Sequence, residues 1–297
     1  MSVTVRVPAK VNVQLAVGAA RPDGFHDLAN VFLAVGLYDE VTVVPAKELR
    51  ITCEGPDAGQ VPLDRTNLAA RAALALAERR GIEPNVHIHI AKDIPVAGGM
   101  AGGSADGAGA LLACDTLWGT GASRAELLEI CAELGSDVPF SLVGGAALGV
   151  GRGERLTALE TGGTFHWVFA MAERGLSTPA VFREFDRLAQ GRDVPEPVAS
   201  AELLRALAKG DADALAATVS NDLQPAALSL FPELADTLAA GRAAGALAAL
   251  VSGSGPTTAF LARDAEAAEK AAAALRASGT CRSVRTAAGP VAGATVL

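Results

Sequence analysis

The most informative stretch of the chain is Ile94-Pro95-Val96-Ala97-Gly98-Gly99-Met100-Ala101-Gly102-Gly103-Ser104-Ala105-Asp106. Four of its thirteen residues are glycine. Before it, Val86, Ile88 and Ile90 alternate with histidines, which is the period of a half-buried strand. After it, apolar residues recur at helical spacing from Gly107 to Trp118. A glycine-rich loop that opens a helix lets backbone N–H groups approach an anion, and the helix N-terminus adds partial positive charge. The pattern therefore favours binding of a nucleotide polyphosphate.

The loop matches neither of the two common nucleotide-binding motifs. A Walker A loop ends in Gly-Lys followed by Ser or Thr, and that triplet does not occur in the chain. The Rossmann fingerprint needs glycines at positions i, i+2 and i+5, which the two glycine pairs of this loop do not supply. A tight turn that uses glycine for close helix packing is the structural alternative. Two glycine pairs followed by Ser104 at a helix start favour phosphate binding instead.

Length, composition and charge limit the class of protein. The 297 residues suit two domains of ordinary size, and no apolar run is long enough to cross a bilayer. The N-terminal residues lack the features of a secretion signal, and the four cysteines have neither paired nor metal-ligand spacing. We therefore expect a cytoplasmic protein with reduced thiols and no membrane partner. The net charge of −8 argues against a nucleic-acid partner but not against phosphate ligands, which local donors bind.

The N-terminal residues 3–17 alternate in the manner of a strand, with a break expected at Pro8-Ala9. Lys10, Asn12 and Gln14 alternate with apolar residues and therefore share one face. Residues i and i+2 on a strand lie about 6.5–7 Å apart, so Lys10 and Asn12 are able to contact one small ligand. The structural alternative is a solvated polar face on an edge strand.

Several polar residues are candidates for either a structural or a functional role. Arg21-Pro22-Asp23-Gly24-Phe25-His26 is a turn by composition, and its aromatic pair can stack on a planar ligand or fill the core. Two strands are expected over 31–37 and 40–44, and a third over 50–54. Asn67 precedes a helix over 68–80 and suits an N-cap as well as a ligand contact. Asp137, before Pro139 at a helix start, suits a cap or a general base.

The second half of the chain predicts an α+β layer. We expect strands at 165–171, 247–251, 257–262 and 283–286, and helices near 200–209, 211–219, 232–244 and 266–277. Ser177-Thr178-Pro179 opens a further helix that carries Phe182. Ser252–Pro256 is a second glycine-rich turn. A strand–helix–strand ending fits an α+β layer packed on a first domain, and the glycine-rich stretch 144–153 places the domain boundary near its end.

Three of these stretches together resemble the GHMP small-molecule kinases, namely Pro8–Asn12, the loop Ile94–Asp106 and the turn Ser252–Pro256. Four motifs are more similar to those family members that phosphorylate 4-diphosphocytidyl-2-C-methyl-D-erythritol in the non-mevalonate isoprenoid pathway. They are Pro8-Ala9-Lys10-Val11-Asn12, Arg21-Pro22-Asp23-Gly24-Phe25-His26, Gly135-Ser136-Asp137-Val138-Pro139-Phe140 and Gly151-Arg152-Gly153-Glu154. The matches cover nearly the whole chain in the right order.

The resemblance implies a two-domain α+β GHMP kinase fold with the active site in the cleft between the domains. The ATP-binding domain is then expected over residues 1–154 and the C-terminal domain over 155–297. The implied reaction transfers the γ-phosphoryl of ATP to the C2 hydroxyl of the cytidyl substrate. Asp137 is the implied base for that tertiary alcohol, while Lys10 is implied to stabilise the alkoxide and orient the carboxylate.

The resemblance also implies ATP and Mg²⁺ as cofactors. Asn67 and Lys92 are expected near the adenosine, and Ser104 near the phosphates or Mg²⁺. The phosphates are expected on the loop residues Pro95, Val96, Ala97, Gly98, Gly99, Met100, Ala101, Gly102, Gly103, Ser104 and Ala105. For the acceptor, Phe25, His26 and Phe182 are the implied cytosine contacts. Asn12 and Thr178 are expected at the methylerythritol or diphosphate, in a monomer or weak homodimer.

The chain departs from the family pattern at the acceptor loop and at the phosphate loop. Phe25 stands where the family usually has Tyr, which keeps a stacking ring and loses a hydroxyl. Met100-Ala101-Gly102-Gly103-Ser104-Ala105 stands where Leu-Gly-Gly-Gly-Ser-Ser is usual, which removes one glycine and one hydroxyl while a backbone cradle is retained.

Two other functions compete with this interpretation. The first is a GHMP kinase that acts on mevalonate, homoserine or a sugar, but those acceptors have no ring to stack on the Phe25-His26 pair and Phe182. The second is a catalytically inactive relative that binds nucleotide and senses metabolites. Such a protein is expected to have lost the base or the lysine, and both Lys10 and Asp137 are present.

Overall fold

The computed structural model describes residues 2–297, which form two β-sheets with helices packed against them. The strands are β1 (Val3–Ala20), β2 (His26–Pro45), β3 (Arg50–Glu54), β4 (Val86–Ala91), β5 (Ala146–Gly151), β6 (Arg155–Ala158), β7 (Phe165–Met171), β8 (Ser220–Asn221), β9 (Ala248–Val251), β10 (Thr258–Ala262), β11 (Ser283–Gly289) and β12 (Thr295–Val296). The helices are α1 (Leu68–Arg80), α2 (Gly102–Trp118), α3 (Arg124–Leu134), α4 (Val138–Val143), α5 (Thr178–Ala189), α6 (Ala201–Lys209), α7 (Ala212–Ala216), α8 (Gln224–Leu230), α9 (Leu234–Ala243) and α10 (Ala265–Ser278). No helix formed by these residues is both long and apolar enough to span a bilayer.

The larger sheet is built around the long antiparallel pair β1 and β2. β4 and then β3 continue the sheet beside the second half of β2, while β5 and β6 extend it beside the first half. The apolar residues of β1, such as Val5, Val7 and Val11, are fully buried. Helix α2 packs on β1 and β2 at Gly109, where a Cβ would come within 2.8 Å of Val7 and 2.9 Å of Val41. Only glycine allows the helix to lie this close to the sheet.

The smaller sheet is antiparallel throughout, in the order β11-β7-β10-β9. Its central strand β7 shows the two-residue period of a strand buried on both faces. Phe165, Trp167 and Phe169 belong to the core shared with the larger sheet, whereas Val168 and Ala170 belong to the core beneath α9 and α10. The smaller sheet therefore connects the two cores of the molecule.

The second half of the chain returns twice to the first sheet. β8 pairs in parallel with β1 at Gln14 and Leu15, and β12 pairs antiparallel with β1 at Val5 and Arg6. Arg282 also donates two hydrogen bonds, of 2.7 and 2.9 Å, to the buried carboxylate of Asp57. The boundary after residue 154 stays a prediction, and these contacts join the segments on its two sides.

Three details of the secondary structure differ from the sequence prediction. The break expected at Pro8-Ala9 is wrong, because β1 continues through it with a shift of register. Pro8 has no N–H to donate to a ladder, and a bulge accommodates it without ending the strand. The two strands expected over 31–44 form one strand, β2, and the elements α8, β6, β8 and β12 were not predicted.

Candidate active site

The loop between β4 and α2 has the geometry of an anion cradle. Helix α2 begins at Gly102, and its N-cap residue Ala101 has φ of 62° and forms no side-chain capping bond. The first N–H groups of the helix therefore have no side-chain partner, which is the usual state of a helix terminus that receives an anion. Ala101 stands where the family usually has glycine, and it retains the left-handed backbone that glycine favours.

The second glycine-rich turn, residues 252–256, supports this loop from the other side. Ser252 Oγ donates a hydrogen bond of 3.1 Å to the carbonyl oxygen of Gly99. Gly99 has φ of 75°, and a Cβ there would lie 2.1 Å from the Ser252 carbonyl oxygen. The two turns thus touch at Gly99 with no room for a side chain, which fixes the position of the phosphate loop relative to the smaller sheet.

Lys10 and Asp137 come together beside the loop. The Lys10 ammonium donates to Asn12 Oδ1 at 2.7 Å and to the Gly99 carbonyl at 3.0 Å, and it lies 3.5 Å from Asp137 Oδ2. Asp137 is the N-cap residue of α4, but its side chain forms no capping hydrogen bond, so the carboxylate is available to a ligand. The alternative of a solvated polar face on β1 is wrong, because Lys10, Asn12 and Gln14 are all buried.

The acceptor candidates lie at the same cleft. His26 is buried against Phe182, with ring centroids 4.9 Å apart, while Phe25 is about half exposed. Thr178, at the start of α5, shares a 2.7 Å hydrogen bond with Ser254. The cleft has a volume of about 830 Å³, and its wall contains Lys10 and Asp137, part of the glycine-rich loop and these acceptor candidates.

Six predicted ATP contacts lie outside the wall of the cleft. Four of them, Pro95, Val96, Met100 and Ala105, belong to the loop, and Met100 and Ala105 are fully buried. The other two are Lys92 and Asn67. Lys92 is buried beneath the phosphate loop, where its ammonium pairs with Asp39 and with Asp106 at 2.9 Å. Lys92 is thus ion-paired inside the protein and does not line the cleft. The structure does not support its expected contact with adenosine, which stays a prediction. The side-chain oxygen of Asn67 caps α1 by accepting from the Ala69 N–H at 2.8 Å, and its amide nitrogen donates to the Pro62 carbonyl oxygen. Both polar ends of the Asn67 side chain are therefore used within the protein.

The buried cluster beneath the loop, formed by Lys92, Asp39 and Asp106, contains two carboxyl groups and one ammonium group. Burial raises the pKa of Asp106 to about 7, and the nearby Asp39 carboxylate adds to this, although Lys92 opposes it. Oδ1 of Asp106 has no hydrogen-bond partner among residues 2–297. The Asp39 carboxylate also accepts from the backbone N–H groups of Asp93 and Ile94, which ties the group to the start of the loop.

Four further residues at the cleft were not predicted to have a role there. Asn30 accepts a 2.7 Å hydrogen bond from Asn12, and Ser254 contacts Thr178. Asp186 accepts from His26 at 2.8 Å, and the guanidinium of Arg152 lies 5.1 Å from the centre of the Phe25 ring. Arg152 and Ser254 lie inside motifs that the sequence analysis had marked, whereas Asn30 and Asp186 carry no local signal.

Comparison with known proteins identifies the family. Residues 67–145 match the model of the GHMP kinase N-terminal domain, and residues 203–281 match that of the GHMP kinase C-terminal domain. A 4-diphosphocytidyl-2-C-methyl-D-erythritol kinase from Streptomyces avermitilis is 83% identical over 297 residues, which covers 100% of both chains. The chain belongs to the 4-diphosphocytidyl-2-C-methyl-D-erythritol kinase family of GHMP kinases.

Solved structures agree with this family assignment. A crystal structure of 4-(cytidine 5'-diphospho)-2C-methyl-D-erythritol kinase has a TM-score of 0.75 and 34% identity, covering 96% of this chain and 98% of that chain. Homoserine kinase from Cytophaga hutchinsonii has a TM-score of 0.74 at 21% identity, covering 100% and 97%, and this shows the shared fold alone. The α+β GHMP kinase fold predicted from the sequence is confirmed.

Proposed function

We propose that this chain transfers the γ-phosphoryl group of ATP to the C2 hydroxyl of 4-diphosphocytidyl-2-C-methyl-D-erythritol, giving the 2-phosphate and ADP. One observation carries the chemistry: the Lys10–Asp137 pair lines the same cleft as part of the phosphate loop and the rings of Phe25, His26 and Phe182. The names of the highly identical relatives support this acceptor. The place of the reaction in the non-mevalonate isoprenoid pathway, which the resemblance implies, is part of the proposal.

Asp137 is the proposed general base. The acceptor hydroxyl is tertiary and a weak nucleophile. Removal of its proton during attack therefore accelerates the reaction by roughly 10²–10⁴-fold. The Asp137 carboxylate is partly exposed to the cleft and makes no capping bond. Lys10 is held by Asn12 and the Gly99 carbonyl, so its ammonium stays at a fixed point beside the carboxylate. There it orients Asp137 and stabilises negative charge on the acceptor oxygen.

The phosphate loop is the proposed site for the ATP phosphates. Uncapped N–H groups at the start of α2 are donors aimed at where charge develops on the transferred group. Among residues 2–297 there is no set of three or more His, Cys, Asp or Glu side chains placed to hold a metal ion. This fits Mg²⁺ that enters with ATP, since Mg²⁺ in kinase sites is bound through few protein groups and mainly by phosphates and water.

Ser104 is the proposed protein contact of that Mg²⁺. Its hydroxyl lies in the wall of the cleft on the first turn of α2 and makes no hydrogen bond to other described residues. When bound, Mg²⁺ neutralises charge on the phosphates during transfer. The chain's own part is to place the hydroxyl and the N–H groups around the phosphate chain.

Phe25, His26 and Phe182 are the proposed cytosine site, and Asn12 and Thr178 the proposed contacts of the remainder of the acceptor. The exposed ring of Phe25 offers a stacking surface, which is worth about 1–3 kcal/mol per base in nucleotide sites. Asn12 is fixed from both sides by Lys10 and Asn30, so it presents a defined polar surface next to the reacting centre.

We also propose that the enzyme acts in the cytoplasm as a monomer or weak homodimer, with domains over residues 1–154 and 155–297. The four cysteines are free thiols, which is usual in a reducing compartment. Burial raises the pKa of the Cys114 and Cys131 thiols to about 12, so these two are unreactive structural groups.

Release of ADP from Mg-ATP tests the proposed function. The acceptors are 4-diphosphocytidyl-2-C-methyl-D-erythritol, mevalonate, homoserine and galactose, each with the wild type and with Asp137→Asn as the control for contaminating kinases. We expect selective turnover of the cytidyl acceptor that Asp137→Asn abolishes. Preferential turnover of another acceptor would discard the cytosine site, and a folded, ATP-binding protein without turnover would indicate a sensor.

A further inference from the structure

His26 is held in one orientation by a residue that belongs to no predicted motif. Its Nε2 lies 2.8 Å from Asp186 Oδ1, while the imidazole packs against Phe182 at 4.9 Å and meets the edge of Phe185 at 5.9 Å. All three neighbours come from α5, where Asp186 lies one helical turn after Phe182. The ring is buried, but the Asp186 carboxylate remains partly exposed in the wall of the cleft.

This contact decides which nitrogen of the neutral imidazole carries the hydrogen. An ionised carboxylate only accepts hydrogen bonds, so Nε2 must be the donor. In the neutral ring Nδ1 is then an acceptor. Nδ1 makes no hydrogen bond within residues 2–297, and it is not among their fully buried unpaired atoms. Nδ1 therefore keeps some accessible surface on a residue that lines the cleft.

We propose that Asp186, by fixing this tautomer of His26, makes the nucleoside end of the cleft selective for cytosine over uracil. The inference rests on the proposed function, in which a cytidyl group occupies this end. Cytosine carries an amino donor at position 4 where uracil carries a carbonyl acceptor. Nδ1 accepts a hydrogen bond from that amino group, whereas uracil would oppose one acceptor with another. Asp186 acts through His26 and is a positioning residue.

Stacking alone does not provide this selectivity. Every base presents a π-face, so Phe25 and Phe182 stack on cytosine and uracil to a similar extent. A polar group that faces the wrong partner in a desolvated site costs more binding free energy than the loss of one contact. We therefore expect the affinity for CDP to exceed that for UDP by roughly ten- to hundredfold. The CDP/UDP affinity ratio therefore reports the tautomer, whereas a merely structural contribution of Asp186 would weaken both ligands equally.

The test measures dissociation constants for CDP and UDP by calorimetry at about pH 8.5, where an ordinary histidine is neutral. The variants are Asp186→Asn, whose amide offers either an acceptor or a donor to Nε2, and Asp186→Glu, which remains an acceptor only. Glu184→Gln is the matched control on the same helix, because that carboxylate binds Arg187 and Ser229 instead of His26.

We expect wild type, Asp186→Glu and Glu184→Gln to prefer CDP by at least about tenfold, and Asp186→Asn to lower that ratio by about fivefold or more. An unchanged ratio in Asp186→Asn, or equal binding of CDP and UDP by the wild type, would overturn the inference while the proposed function stands. A wild type that binds neither nucleotide would overturn the proposed acceptor, and with it this inference.

Discussion

The Lys10 ammonium lies 3.5 Å from Asp137 Oδ2, and the same ammonium donates to the carbonyl oxygen of Gly99 in the phosphate loop. One buried cation thus connects the middle of β1, the N-terminus of α4 and the loop before α2. The proposed base on one element and the proposed anion cradle on another are held at a fixed separation by this contact. Such positioning is the larger part of catalysis in phosphoryl transfer.

Asp137→Asn should lower kcat by at least about a hundredfold and leave the KM for ATP within a few-fold of wild type. The amide retains the size of the side chain but cannot take the proton of the acceptor hydroxyl. Steady-state kinetics with the cytidyl acceptor measure both constants. Asp193→Asn, in the exposed loop after α5, is the control and should match wild type. Turnover of Asp137→Asn within a few-fold of wild type would remove Asp137 from its role.

Gly99→Ala should weaken ATP binding by about tenfold or more and lower the free energy of unfolding by roughly 2–4 kcal/mol. The new Cβ would lie 2.1 Å from the Ser252 carbonyl oxygen, so the two glycine-rich turns must separate. Calorimetric ATP titration and urea unfolding measure the two effects.

Gly81→Ala separates this steric clash from backbone strain. Gly81 also has positive φ, at 62°, but a Cβ there meets nothing within 4 Å. This control should cost only about 1 kcal/mol and leave ATP binding intact. Equal losses in the two variants would show that the contact between the turns is unimportant.

Phe25→Ala should raise the KM for the cytidyl acceptor by roughly five- to hundredfold with little change in the KM for ATP. The half-exposed ring is the proposed stacking surface for the base of the acceptor. Leu63→Ala, an exposed apolar residue outside the cleft, serves as the control. A KM that rises for ATP instead would place the nucleoside of ATP at Phe25.

Asp106→Asn should change the pH dependence of stability. The pKa of Asp106 is raised by burial from an ordinary value of 3.8 to about 7. Between about pH 4 and pH 7 the carboxyl is therefore protonated in the folded state and ionised in the unfolded chain. The free energy of unfolding falls as the pH rises through this range. The variant removes this decline and should be more stable than wild type at pH 8, by on the order of 1–4 kcal/mol.

Urea unfolding of wild type and Asp106→Asn at several pH values between 4 and 8 measures this difference. The gain of the variant over wild type should grow as the pH rises. A gain or loss that stays constant across the whole range would show that Asp106 carries no proton near neutral pH.

The sequence predicted most regular elements because their patterns are local. The helix after Asn67 and the strand before the phosphate loop follow directly from capping and from two-residue periodicity. The two-residue strands β8 and β12 have no pattern of their own, since only pairing with β1 makes them strands. The continuity of β2 was missed at residues 38 and 39, between the two expected strands, where the polar Asp39 is in fact buried under the loop.

The candidate site was predictable where family motifs carry it, as for Lys10, Asp137 and the loop. Lys92 shows the limit of such transfer. The resemblance implied a contact between Lys92 and adenosine, but Asp39 and Asp106 bind this ammonium inside the protein. Asp186 shows the opposite limit: it is an ordinary polar residue of α5 until the fold brings His26 to it. Both outcomes depend on long-range contacts that no local pattern reports.

Phosphorus NMR of the products is the most direct test of phosphoryl transfer to the C2 hydroxyl, because it identifies the bond that forms. Wild-type protein is incubated with Mg-ATP and 4-diphosphocytidyl-2-C-methyl-D-erythritol, in parallel with Asp137→Asn. We predict a new phosphomonoester signal that grows in step with ADP while the diphosphate signals of the acceptor remain. In the variant this signal should grow at least about a hundredfold more slowly. ADP accompanied only by inorganic phosphate, or by a change at the diphosphate, would contradict transfer to the C2 hydroxyl.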